Sequence, residues 1–242
     1  MSTLGLHKLL KPYGLLLLGS LRVRPEDQVP DAAENHPARQ LLMIGNAGSS
    51  FWPVFSQSPE YRDGRPDPLD RWSRRVGDEL AGELAGRAIF PFDGPPYPPF
   101  LSWAQRAGRV APSRISMFVH AQFGLWHAYR FALALAEPLD SFEQGAKFIS
   151  PCIDCEEKPC LEACPVQVFT GGSYQVDRCV DYLLADTESA CRQLGCEARR
   201  ACPVAREFTY QADHARFHMD AFIKVKSPAS GLLHLGHDFK QI

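Results

Sequence analysis

The chain has 242 residues, 45% of them hydrophobic, and a formal net charge of −2. That is enough apolar material to bury a core, which argues against a small secreted domain held together by disulfides. The near-neutral charge gives no general nucleic-acid surface, and the Leu15–Leu18 run is too short to span a membrane.

In chain order, Leu15–Val23 and Gln40–Asn46 are apolar runs of strand length. Pro68–Ala85 predicts a helix, with Leu69, Trp72, Val76, Leu80 and Leu84 recurring at spacings of three or four. The proline- and glycine-rich stretch Phe90–Pro99 reads as a long loop. Ile115, Met117 and Val119 alternate with Ser116, Phe118 and His120, as in a strand. Phe123–Ala136 reads either as a helix, from its alanines and leucines, or as the return strand of a hairpin. Short strands interspersed with helices give an α+β fold, and no glycine-rich phosphate loop is present.

The stretch from Arg114 to Arg130 gathers aromatics, two histidines and two arginines around Gly124. As a structural element it is a hairpin with Phe123 and Trp126 in the core and His120 anchoring the turn. As a functional element it is a flat apolar platform with polar anchors, on which a macrocycle or a flavin could lie. No motif points to flavin specifically.

All eight cysteines lie between Cys152 and Cys202. They run Cys152-x2-Cys155-x4-Cys160-x3-Cys164-Pro165, then Cys179, then Cys191-x4-Cys196-x5-Cys202-Pro203. A disulfide framework and two zinc sites are the alternatives that an even number of cysteines allows. Zinc ligands usually come as two tight pairs per site. A run of four ending in Cys-Pro, a lone cysteine and a closing Cys-Pro is instead the order of a two-cluster ferredoxin, where the last cysteine of each run crosses to the other cluster. By that rule Cys152, Cys155, Cys160 and Cys202 would hold one [4Fe-4S] cluster, and Cys164, Cys179, Cys191 and Cys196 the other. The gaps before Cys160, Cys196 and Cys202 are longer than the usual run. Residues 151–203 hold nine acidic and five basic side chains, a surface that would suit a basic reductase as partner. Reduced cysteines and oxygen-labile clusters favour the cytoplasm.

His120, Phe123, Gly124, Trp126, Ala128 and Arg130, preceded by Arg114-Ile115-Ser116, resemble the His-x-x-Phe-Gly-x-Trp-x-Ala-x-Arg segment of the CblC-type cobalamin-processing proteins. The likeness extends from about Leu41 to Ala136, and residues 114–130 carry its specificity. It implies a flavin-reductase- or nitroreductase-like antiparallel sheet with flanking helices and a cavity for cobalamin, bound by Arg114, His120, Phe123, Gly124, Trp126 and Arg130. The implied activity is reductive removal of the upper axial ligand of cobalamin, or decyanation. The cysteine module is similar to that of epoxyqueuosine reductase, a cobalamin enzyme acting on transfer RNA, and Arg178-Cys179-Val180-Asp181-Tyr182-Leu183 matches its segment around the lone cysteine.

Together these readings predict a cobalamin-binding domain over residues 1–150, a ferredoxin-like module over 151–210 and a tail over 211–242 containing His214, His218, His234 and His237. Electrons from an external reductase, flavodoxin or ferredoxin would pass through the clusters to cobalamin. An epoxyqueuosine-reductase-like enzyme acting on transfer RNA, a cobalamin trafficking chaperone and a plain two-cluster electron carrier are the alternatives.

Overall fold

Residues 40–47 form a strand with all eight side chains buried, and the rest of the first half is arranged around it. The computed structural model describes residues 2–139, 148–170 and 172–226. In chain order the elements are α1 (Thr3–Leu10), β1 (Leu16–Arg22), β2 (Gln40–Ala47), α2 (Trp52–Phe55), α3 (Pro59–Arg62), α4 (Pro68–Glu83), β3 (Arg87–Ile89), α5 (Phe100–Arg106), β4 (Val110–Pro112), β5 (Phe118–His120) and β6 (His127–Leu135). There follow α6 (Pro159–Glu162), β7 (Phe169–Thr170), β8 (Ser173–Tyr174), α7 (Val176–Ala185), α8 (Ala190–Leu194), α9 (Glu197–Ala201) and α10 (Ala212–Lys226). The fold is a mixture of helices and antiparallel sheet, hence α+β.

The chain divides into two compact units, Met1–Val110 with His127–Phe148, and Ala111–Trp126 with Ile149–Ile242. The sequence-based division at residue 150 lacks the excursion over residues 111–126. The expected tail at 211 begins, in the structure, as α10 of the second unit. His234 and His237 lie outside the described residues.

The first unit is built on an antiparallel sheet of order β1-β2-β6-β3. Leu41, Leu42, Met43 and Ile44 are fully buried on successive positions of β2, so both of its faces are covered and the sequence shows a continuous apolar run instead of alternation. The register of β2 against β6 shifts between Ile44 and Gly45. A Cβ on Gly45 would stand 2.0 Å from the Ala128 carbonyl oxygen, so this crowded bulge admits only glycine. β6 settles the ambiguity of residues 123–136 as a strand. Alanine and leucine favour helix in isolation, but partners on both edges override that preference.

α4 follows its predicted stripe, with Leu69, Trp72, Val76 and Leu80 buried. Each fully buried side chain of this size contributes about 1.5–3 kcal/mol relative to exposure. Trp72 meets Phe51 and Phe55 with ring centroids 5.7 Å from each, and Phe55 meets Tyr61 of α3 at 5.2 Å. Arg75 of α4 donates to the Glu60 carboxylate of α3 at 2.6 Å, closing that turn onto the helix.

The strand expected over Ile115–Val119 is shorter than its alternation suggested. Residues 114–117 make a turn, with the Ser113 amide donating to the Met117 carbonyl at 2.8 Å and Ser116 in the left-handed region at φ 56°. Only Phe118–His120 is extended, because a left-handed residue breaks the period of two.

The second unit has small cores of its own. Trp126, Tyr210 and Ala215 form one, with Phe208 packed against it. Leu183, Cys191 and Ile223 form another, joined by Cys179, Tyr182, Met219 and Phe222. No helix among the described residues is long and apolar enough to cross a membrane.

Candidate metal centre

Four short helices carry five of the eight cysteines or cap on them. Cys160 lies in α6, Cys179 in α7 and Cys191 in α8, while Cys196 and Cys202 are the N-cap and C-cap of α9. Cys152 sits in a turn whose Ser150 hydroxyl accepts from its amide at 3.3 Å, and the Arg114 guanidinium donates to the Cys152 carbonyl at 3.4 Å. Cys164 accepts at its carbonyl from the Gln167 amide at 3.1 Å, in a turn that Pro165 opens. All eight are free thiols; Cys164, Cys191 and Cys202 are buried and the other five partly so.

Burial, and after it the neighbouring thiols, raise five of these cysteines. Burial raises the Cys160 thiol first, and Cys202, Cys152 and Cys155 raise it further; Cys202 in turn is raised by burial, then by Cys152 and Cys155. Burial pushes Cys196 up to about 11, with Cys179 and Cys164 adding to it. It pushes Cys191 up to about 12, with Cys196 adding to it, and Cys179 is raised by burial and by Cys164. Among the described residues no three histidine, cysteine or carboxylate side chains converge tightly enough to hold a single metal ion.

Backbone amides point at the second set. The Glu197 amide donates to Cys191 Sγ at 3.5 Å, and the amides of Ala198 and Arg199 donate to the Cys196 sulfur, lowering its pKa against the burial effect. The Tyr174 hydroxyl hydrogen-bonds the Cys179 sulfur, an interaction that lowers Cys179 and, after burial, raises the tyrosine.

The structure places the aromatic segment beside the cysteines of its own unit. His120 is fully buried, its Nδ1 accepts from the amides of Gln122 and Phe123 at 3.1 and 3.3 Å, and its ring stacks on Phe123 at 4.8 Å. Phe123 meets Phe208 edge-on at 5.1 Å, and Trp126 meets Tyr210 at 5.4 Å. Gly124, at φ +55°, faces the Val204 carbonyl oxygen, which a Cβ would approach to 2.6 Å. Arg114 is exposed in this unit, whereas Arg130 belongs to β6 of the first, 5.7 Å from the Phe51 ring and beside Asp70, whose carboxyl burial pushes up. The six expected cofactor-binding residues are thus split between the units, five to one. Sequence reading missed Arg199, Glu197, Tyr174 and Tyr210; Arg199 and Glu197 lie inside the Cys196–Cys202 interval, which was the one available signal.

No protein-family model matches the chain, and no curated protein matches it. Among solved structures, it is similar to epoxyqueuosine reductase from Bacillus subtilis at 18% identity and a TM-score of 0.44, over 79% of this chain and 53% of that one. It is also similar, at 16% identity and a TM-score of 0.44, to epoxyqueuosine reductase in complex with an epoxyqueuosine-modified tRNA-Tyr stem loop, over 88% of this chain and 71% of that one. This chain therefore spans about half the length of the first. The expectation of a CblC-type cobalamin decyanase is corrected by these matches: both structures are epoxyqueuosine reductases, and neither is a cobalamin-processing protein.

Proposed function

We propose that the chain is an iron–sulfur oxidoreductase of the epoxyqueuosine reductase kind, with a ferredoxin-like second unit that holds two [4Fe-4S] clusters. Cys152, Cys155, Cys160 and Cys202 hold one cluster, and Cys164, Cys179, Cys191 and Cys196 hold the other. One observation carries the reading: all eight cysteines, in the order of a two-cluster ferredoxin, are free thiols gathered in a single compact unit. The donors are all sulfur, which suits iron–sulfur ligation. A zinc ion would draw four sulfurs to about 2.3 Å from one point, whereas a four-iron cluster takes each sulfur on a separate iron.

When bound, the clusters supply one-electron transfer. The chain's own part is to hold eight thiolates in two cages, pack α10 against Cys179 and Cys191 and donate amide hydrogen bonds to Cys191 and Cys196. Electrons arrive from an external donor and leave to a modified nucleoside of transfer RNA. The acidic stretch 151–203 handles electrons, and contact with RNA falls to other surfaces.

Two measurements test the reading separately. Anaerobically purified protein should be brown, with about eight irons and as many acid-labile sulfides per chain. Stoichiometric zinc without sulfide would sink the cluster assignment. A deletion strain should accumulate epoxyqueuosine in its transfer RNA; unchanged queuosine would sink the substrate while leaving the clusters standing.

A further inference from the structure

The helix between the last two cysteines ties the two sets together. α9 fills the interval from Cys196 to Cys202, its caps, and those caps belong to different sets. Six helical steps put their Cα atoms about 9 Å apart. A shift or rotation of this short rod would displace one ligand of each set at once.

One side chain fixes the rod. Arg199, at the middle of α9, donates from Nε and Nη2 to the Leu125 carbonyl at 3.0 and 2.6 Å. Its guanidinium lies over the Trp126 ring at 4.6 Å and the Tyr210 ring at 4.2 Å. Its own amide donates to the Cys196 sulfur. Two hydrogen bonds from a planar fork and two ring contacts define both the position and the roll of α9, which a lysine could not do.

We infer that Arg199 is a positioning residue for both clusters, and that the Leu125–Trp126 corner is the fixed point against which it holds them. This rests on the two-cluster reading and assigns that reading its structural control. The arginine puts a positive charge on the helix whose caps are Cys196 and Cys202, and a positive charge near a cluster favours its reduced state. Removing it therefore acts on both clusters together, although it ligates neither.

The test is electrochemical and magnetic, on the full chain purified without oxygen. Arg199→Gln should keep its iron yet move both midpoint potentials to lower values and change the spin–spin interaction between the reduced clusters. Arg199→Lys should restore much of the potential shift, since the charge returns, and leave the altered interaction, since the fork does not. If Arg199→Gln sheds its iron, Arg199→Lys decides: its spin–spin signature must differ from wild type. Wild-type potentials and wild-type interaction in an iron-replete variant overturn the inference, as does a change confined to one cluster. Wild-type protein lacking iron and sulfide overturns the parent reading instead.

Discussion

Gly45 shows how one missing Cβ holds the central strand in place. The Ala128 carbonyl would lie 2.0 Å and a Leu18 methyl 2.6 Å from any side chain there, and the first of these contacts is backbone. A backbone neighbour cannot rotate away, so Gly45→Ala should cost about 3 kcal/mol, the upper end for overpacking. The urea midpoint should fall while the slope of the transition stays constant. By contrast, Gly82 has open space around the added carbon, and alanine there should not incur that clash. At this scale the sequence is mute. It shows a glycine in an apolar run, and only the paired strand reveals why alanine fails.

At the scale of elements, α3 and α4 are joined through Glu60 and Arg75. The arginine hydrogen bond is the main cause holding the Glu60 carboxyl below its ordinary value, against a smaller effect of burial. A carboxyl depressed in the folded state stabilises the fold above its unfolded pKa, and that contribution is lost as pH falls through the folded value. Arg75 is about half exposed, so the pair is worth roughly 0.5–1 kcal/mol. Glu60→Gln should lower stability by that amount at pH 7. The difference should shrink as pH falls and the wild-type carboxyl takes up its proton; a loss independent of pH would show that the pair does not act through charge. The elements were unevenly legible beforehand. β1, β2 and α4 announce themselves because each buries a periodic or continuous apolar face drawn from its own residues. β6 and the 114–120 turn do not, since one depends on strands about 40 and 85 residues away and the other on a left-handed serine.

For the whole molecule, eight thiols crowded into one unit set an alkaline limit on the metal-free protein. Burial raises Cys191 to about 12 and Cys196 to about 11, above the ordinary 9.0. Between pH 9 and those values the unfolded chain ionises these thiols while the folded chain does not. The folded state then binds more protons, so stability is full below pH 9 and falls as pH rises towards 11–12. Iron-loaded protein should lack this decline, because bound thiolates have already lost their protons. Thermal unfolding of apo- and cluster-loaded protein across pH 8–11 should therefore diverge with rising pH, and parallel curves would contradict the burial of these cysteines. The gathering of the eight cysteines in one unit was legible beforehand, since all of them lie within 51 consecutive residues. The role of residues 120–126 stayed hidden, because Arg199 is 74 positions from Leu125 and no local pattern connects them.

The excursion of residues 111–126 into the second unit limits how this chain can be cut. A gene fragment starting at Ile149 would encode every cysteine but omit the Leu125 oxygen, the indole of Trp126 and the ring of Phe123, leaving Arg199, Tyr210 and Phe208 without the surfaces they rest on. Grafting the second unit onto another protein would therefore require two pieces of coding sequence, spliced from either side of β6.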